Sequence, residues 1–167
     1  MKLAMVIVNG FQDHEFSVPY NELTNKGHTI DIVSTTTGVL TGKLGSTMTA
    51  VQTMEQTQMA NYDGIIFIGG PGARVLIENI QAHILCMEAV EQGKLLAAIC
   101  IAPCILARAG VLKGVKATVW SSSESIELLT EMGADYYNKD VVTDNKIITA
   151  NGPNAAEKFT DAILAIL

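Results

Sequence analysis

Aromatic side chains are scarce in this chain: Phe, Tyr and Trp together make up 5% of its 167 residues. A core of ordinary size must therefore be built from Ile, Leu, Val, Ala and Met packed in close layers, which suits an α/β sandwich. Basic residues are also few, 11 against 17 acidic ones, for a net charge of -6. With no cluster of Lys and Arg, no nucleic-acid partner and no anionic membrane surface is expected, because both need such clusters to release counterions. No apolar run approaches membrane-spanning length, and the opening one, Leu3 to Val8, is too short for a signal-peptide core, so the expected compartment is the cytoplasm. Cysteine is limited to Cys86, Cys100 and Cys104, an odd number ill suited to a disulfide framework, so reduced thiols are expected. No group of His, Cys and Asp has metal-ligand spacing, and no cofactor is expected. The length fits one domain spanning 1–167.

What is present is an alternation of short apolar runs with amphipathic stretches. Leu3 to Val8, His28 to Val33, Gly64 to Ile68, Leu95 to Ile99, Ala117 to Val119 and Ile147 to Ala150 read as strands. Glu15 to Asn25, Ile80 to Gln92, Ile101 to Ala109, Ser123 to Met132 and Ala155 to Leu167 carry apolar residues at three- and four-residue spacing and read as helices. Gly27, Gly93 and Gly110 follow three of the helices as left-handed caps would, and Ser123 offers an N-cap oxygen. The pattern predicts a mostly parallel sheet covered on both faces. Ser34 to Met59, rich in Thr, Gln, Gly and Met, reads as a small hairpin or irregular excursion.

In such sheets ligands bind beyond the carboxyl ends of the strands, so the residues that follow each strand are the candidates. Cys100 ends an apolar run just before a helical pattern, on a strand-to-helix elbow where helix amides would favour its thiolate. A small core cysteine is the alternative, and the segment alone leaves both open. Glu15 is either a carboxylate stabilised by a helix start or a partner of Cys100. Protonated, it would donate to the thiolate; ionised, it would oppose thiolate formation. Gly69, Gly70 and Gly72 form either a simple tight turn or a loop whose amides, with that of Ile101, face an oxyanion near Cys100. The loop lacks the spacing of a dinucleotide or phosphate fingerprint. Cys86 and Cys104 read as core, and His28 and His83 as structural or exposed; His14, beside Glu15, is the sole candidate accessory base.

Taken in order, Gly10-Phe11-Gln12-Asp13-His14-Glu15 with Pro19, Gly69-Gly70-Pro71-Gly72-Ala73, Ala97-Ala98-Ile99-Cys100 with Pro103, Ala109-Gly110-Val111-Leu112-Lys113-Gly114 and Thr149-Ala150-Asn151-Gly152-Pro153 resemble the ThiJ/PfpI superfamily over nearly the whole chain. The resemblance implies a flavodoxin-like three-layer sandwich, related to the class I glutamine amidotransferases, with an elbow cysteine at Cys100, a carboxyl partner at Glu15 and a homodimer or higher homo-oligomer. It also implies a reactive thiol acting on small-molecule carbonyls, in glyoxalase or deglycase fashion, or responding to oxidation. A non-catalytic, stress-associated binding module is the alternative, and a cysteine peptidase ranks below both. The departures bear on that ranking. Protease-like members carry a histidine after the cysteine, where this chain has Ile101. Deglycase-like members place one in the loop after the next strand, which here reads Trp120-Ser121-Ser122-Ser123-Glu124. The terminal loop, Ala150-Asn151-Gly152-Pro153, lacks the family's arginine, and no histidine follows His83.

Overall fold

The computed structural model describes residues 1–167. Along the chain run β1 (Lys2–Val6), α1 (Asp13–Asn25), β2 (Thr29–Ser34), β3 (Gly38–Thr41), β4 (Thr47–Ala50), β5 (Gln52–Thr53), β6 (Gly64–Phe67), α2 (Ile80–Glu91), β7 (Leu95–Ile99), α3 (Pro103–Arg108), β8 (Lys116–Ala117), α4 (Ser123–Glu131), β9 (Asp135–Tyr136), β10 (Val141–Asp144), β11 (Ile147–Ala150) and α5 (Ala156–Ile166). The central sheet has the order β10-β11-β7-β6-β1-β2-β5. All its neighbours are parallel except β10 and β11.

The alternation of side chains across the pleat sorts the apolar strands between two cores. Leu3, Met5 and Ile7 pack with Phe16 and Leu23 of α1 and with Phe159 and Ile163 of α5. Ala4, Val6 and Val8 face the other way, onto Leu85 of α2, Ile105 of α3 and Leu129 of α4. The result is the expected three-layer, flavodoxin-like sandwich, with near-continuous aliphatic strands because both faces of the sheet are covered. No helix is long and apolar enough to cross a membrane.

Several boundaries differ from the sequence reading. The run at Ala117 to Val119 does not join the main sheet; β8 pairs only with β9. The sheet instead gains β10, which folds back on β11 through the two-residue turn Asn145-Lys146, with Asn145 at φ 53. Ser34 to Met59 does contain a hairpin, β3 paired with β4. Helix α1 begins at Asp13 rather than Glu15, capped by the Gln12 side chain, and α4 is capped by Ser122 rather than Ser123. Helix α3 is shorter than expected, starting only at Pro103; Cys100 to Ala102 form a turn ahead of it.

Candidate active site

The elbow after β7 holds Cys100 at φ 64, in the left-handed region that a residue with a Cβ adopts at a cost of about 1–3 kcal/mol. Both flanking hydrogen bonds hold it there: the Cys100 amide donates to the Ala150 carbonyl at 2.9 Å, and its carbonyl accepts from the Trp120 amide at 2.7 Å. The thiol therefore stands off the sheet edge, half-buried, as an elbow requires. Cys86 and Cys104 are buried in the core, as expected.

Glu15, on the first turn of α1, is completely buried. Neither of its carboxyl oxygens has a well-formed hydrogen bond; the nearest polar groups are the Cys100 thiol and the Gly69 amide. Such a group is expensive to keep ionised. Burial pushes its pKa from 4.5 up to about 7, against the smaller opposing effects of the thiol and the amide. The thiol is pushed up as well, first by burial and then by the charge of Glu15, and the Gly70 and Ile101 amides facing the sulfur only partly offset this. Burial and the neighbouring carboxylate thus act against the thiolate that the amides favour, and Glu15 holds its proton up to about neutral pH.

The glycine loop is what allows the pair to meet. A Cβ on Gly69 would lie 2.7 Å from both Cys100 Cβ and Glu15 Oε2, so any side chain there would drive the two apart. Gly70 has φ 105 and seats its Cα against the β1–α1 loop, where Gln12 N–H donates to the Gly69 carbonyl at 3.1 Å. Gly72 is a different case: its amide donates to the Gly10 carbonyl at 3.2 Å and is not aimed at Cys100, so the site loop consists of Gly69, Gly70 and Ile101.

A cleft of about 270 Å³ opens over the thiol, lined by Gln12, Glu15, Lys43, Gly70, Pro71, Arg74, Cys100, Ile101, Trp120 and Pro153. His14 is not among these residues and its side chain is exposed, so the structure does not bring the expected accessory base to Cys100. Successive residues at a helix start point apart, and burial of Glu15 turns its neighbour outward. Sequence reasoning missed Lys43, Arg74 and Trp120. Lys43 sits on the β3–β4 turn and Arg74 on a helical turn over Pro71–Leu76, neither in a motif. Trp120 opens the loop where a histidine is missing, and its ring lies against Gly152, where a Cβ would come within 3.0 Å. No three His, Cys, Asp or Glu side chains converge in a way that could hold a metal ion.

Comparison with known proteins gives a consistent outcome. The family model described as the DJ-1/PfpI family matches residues 1–166. An uncharacterised protein of Methanocaldococcus jannaschii is 39% identical over 95% of this chain and 78% of its own length. The deglycase PfpI of Pyrococcus furiosus is 30% identical over 92% of this chain and 91% of its own. Among solved structures, a ThiJ/PfpI domain protein from Brachyspira murdochii superposes with a TM-score of 0.95 at 25% identity, covering 99% of this chain and 95% of that one.

Proposed function

This chain belongs to the DJ-1/PfpI family, and from that membership we propose that it acts on small reactive carbonyls through the Cys100 thiol and the Glu15 carboxyl. The observation that carries the reading is a fully buried carboxyl without a well-formed partner, separated from a half-buried elbow thiol by a glycine and roofed by an open cleft. A carboxyl raised to about 7 can change protonation state near neutral pH, as a proton shuttle must. The name of the Pyrococcus relative, a deglycase, points to the same class of substrate.

The chemistry follows from the pair. As sulfur attacks an aldehyde carbon, the thiol proton passes to the Glu15 carboxylate, the C=O π pair moves to oxygen, and the carboxyl returns the proton to that oxygen. A hemithioacetal forms with no net proton change, its oxygen facing the Gly70 and Ile101 amides. With a 1,2-dicarbonyl, Glu15 can next take the proton from the former aldehyde carbon, leaving an enediolate; Glu15 returns that proton to the adjacent carbon while the hydroxyl proton on the first carbon passes to the neighbouring oxygen, which yields a thioester bearing a 2-hydroxyl group. Water cleaves that to a 2-hydroxy acid and restores the thiol. A redox-sensing role fits less well, because it calls for a thiolate at neutral pH and burial opposes one here. Peptidase chemistry lacks its imidazole, since no histidine lines the cleft.

Proton NMR of methylglyoxal incubated with wild type, Cys100→Ser and Glu15→Gln tests the proposal. Conversion to lactate by wild type and its loss in both variants is the expected result. Wild-type conversion that persists in Cys100→Ser or in Glu15→Gln overturns it, and so does no conversion at all, which leaves a binding role for the cleft.

A further inference from the structure

The cleft carries a charge that the carbonyl reaction does not use. We infer that it selects carbonyl compounds bearing a carboxylate or phosphate, the anion being held by Lys43 and Arg74 while the carbonyl meets Cys100; this rests on the reading above for its chemistry. Among the lining residues Lys43 and Arg74 are cationic, and the one acid, Glu15, lies buried beneath them. In a chain of net charge -6 a doubly cationic mouth is not a by-product of general basicity.

Lys43 is also held in place at its backbone. Its amide donates to the Phe11 carbonyl at 2.8 Å, and the Gly10 amide donates to the Thr41 carbonyl at 2.8 Å. The Asp13 carboxylate straps the same turn, accepting from the Leu44 amide at 2.7 Å and the Ser46 amide at 2.9 Å. The β3–β4 turn is thereby fastened to the loop that leads into Glu15, which fixes where the lysine stem starts. Arg74 comes from the glycine-loop side. Its only ion pair is with Glu124 at 3.4 Å, and both side chains are well exposed, so the pair is weak and a ligand anion can displace it. A guanidinium prefers the planar, bidentate oxygens that carboxylate and phosphate offer.

Two alkylating agents of nearly equal size, neutral iodoacetamide and anionic iodoacetate, read this charge at Cys100 without any turnover. The ratio of their rates cancels changes in thiol ionisation between variants. With mass-spectrometric mapping, Lys43→Gln and Arg74→Gln are each expected to lower the iodoacetate-to-iodoacetamide ratio by about threefold to tenfold, while Lys43→Arg and Arg74→Lys retain it. Glu124→Gln, which frees Arg74, is expected to raise it. Ratios that ignore all these changes overturn the inference. If labelling is too slow to compare, titration of Trp120 fluorescence with oxalate and with inorganic phosphate decides instead: saturable responses lost in the Gln variants support an anion site, and which anion binds more tightly tells carboxylate from phosphate. No response, or one the variants leave intact, counts against the site. Lost conversion of methylglyoxal with a charge-dependent ratio would remove the carbonyl reading alone; conversion with a charge-blind ratio would remove only the anion site.

Discussion

Neutralising the buried carboxyl should remove a pH dependence from the stability of the whole domain. Glu15 titrates at about 7 in the folded chain and near 4.5 when exposed, so the folded state binds its proton more tightly than the unfolded one. Unfolding then releases a proton between these values, and stability falls as pH rises through that window. Each pH unit is worth 1.36 kcal/mol, so the carboxyl destabilises the fold at pH 8 by about 3 kcal/mol relative to acid conditions. Asp13, Asp31 and Asp140 have lowered pKa values and act in the opposite sense, losing stability only as pH falls below the ordinary carboxylate range. Their contribution is common to wild type and Glu15→Gln and cancels in the difference. Urea unfolding at pH 4.5 and pH 8 measures it: the amide variant should be roughly level with wild type at the lower pH and more stable by about 2–3 kcal/mol at the higher. Parallel stability profiles for the two proteins would show that Glu15 is not held as described.

Brief iodoacetamide treatment of the folded protein should label Cys100 ahead of Cys86 and Cys104, because the latter are buried in the core. Its rate should keep rising with pH beyond 9, and Glu15→Gln should shift that rise to lower pH, since removing a neighbouring negative charge eases thiolate formation. Gly69→Ala should destabilise the domain by about 2 kcal/mol and slow Cys100 alkylation, as its Cβ would collide with both members of the pair; a well-folded variant with wild-type reactivity would contradict the close approach. Phe159→Ala, emptying a fully buried position under the sheet, should cost about 3–5 kcal/mol by urea denaturation.

The layered sheet was legible because its central strands β1, β6 and β7 are largely aliphatic runs bounded by polar turns, and because parallel strands buried on both faces show that pattern most plainly. The antiparallel edge strand β10 was not, since Val141–Asp144 is only four residues and alternates weakly. Topology could bring Cys100 and Glu15 to one edge of the sheet, as both follow strands there, but it left open whether Glu15 pairs with the thiol or only caps a helix start, and only the family resemblance implied the pairing. The environment that governs them was not legible. An acid in a first helical turn is ordinarily solvated, and nothing local distinguishes Glu15 from Asp13, which is indeed half-exposed. The cations of the cleft were invisible for a related reason. Lys43 reaches the site through a hairpin docked by long-range hydrogen bonds, and a carboxylate at Asp13 that spans to Leu44 and Ser46 leaves no periodic mark.

The pairing of Glu15 with Cys100 as a proton-shuttling unit is tested most directly by the pH profile of kcat/KM for methylglyoxal. Wild type should rise through an inflection near 7 as Glu15 gains the charge it needs to accept the thiol proton. Glu15→Gln should be slower and should lose that inflection. A wild-type profile flat across neutrality, or an inflection that survives in Glu15→Gln, would contradict the account.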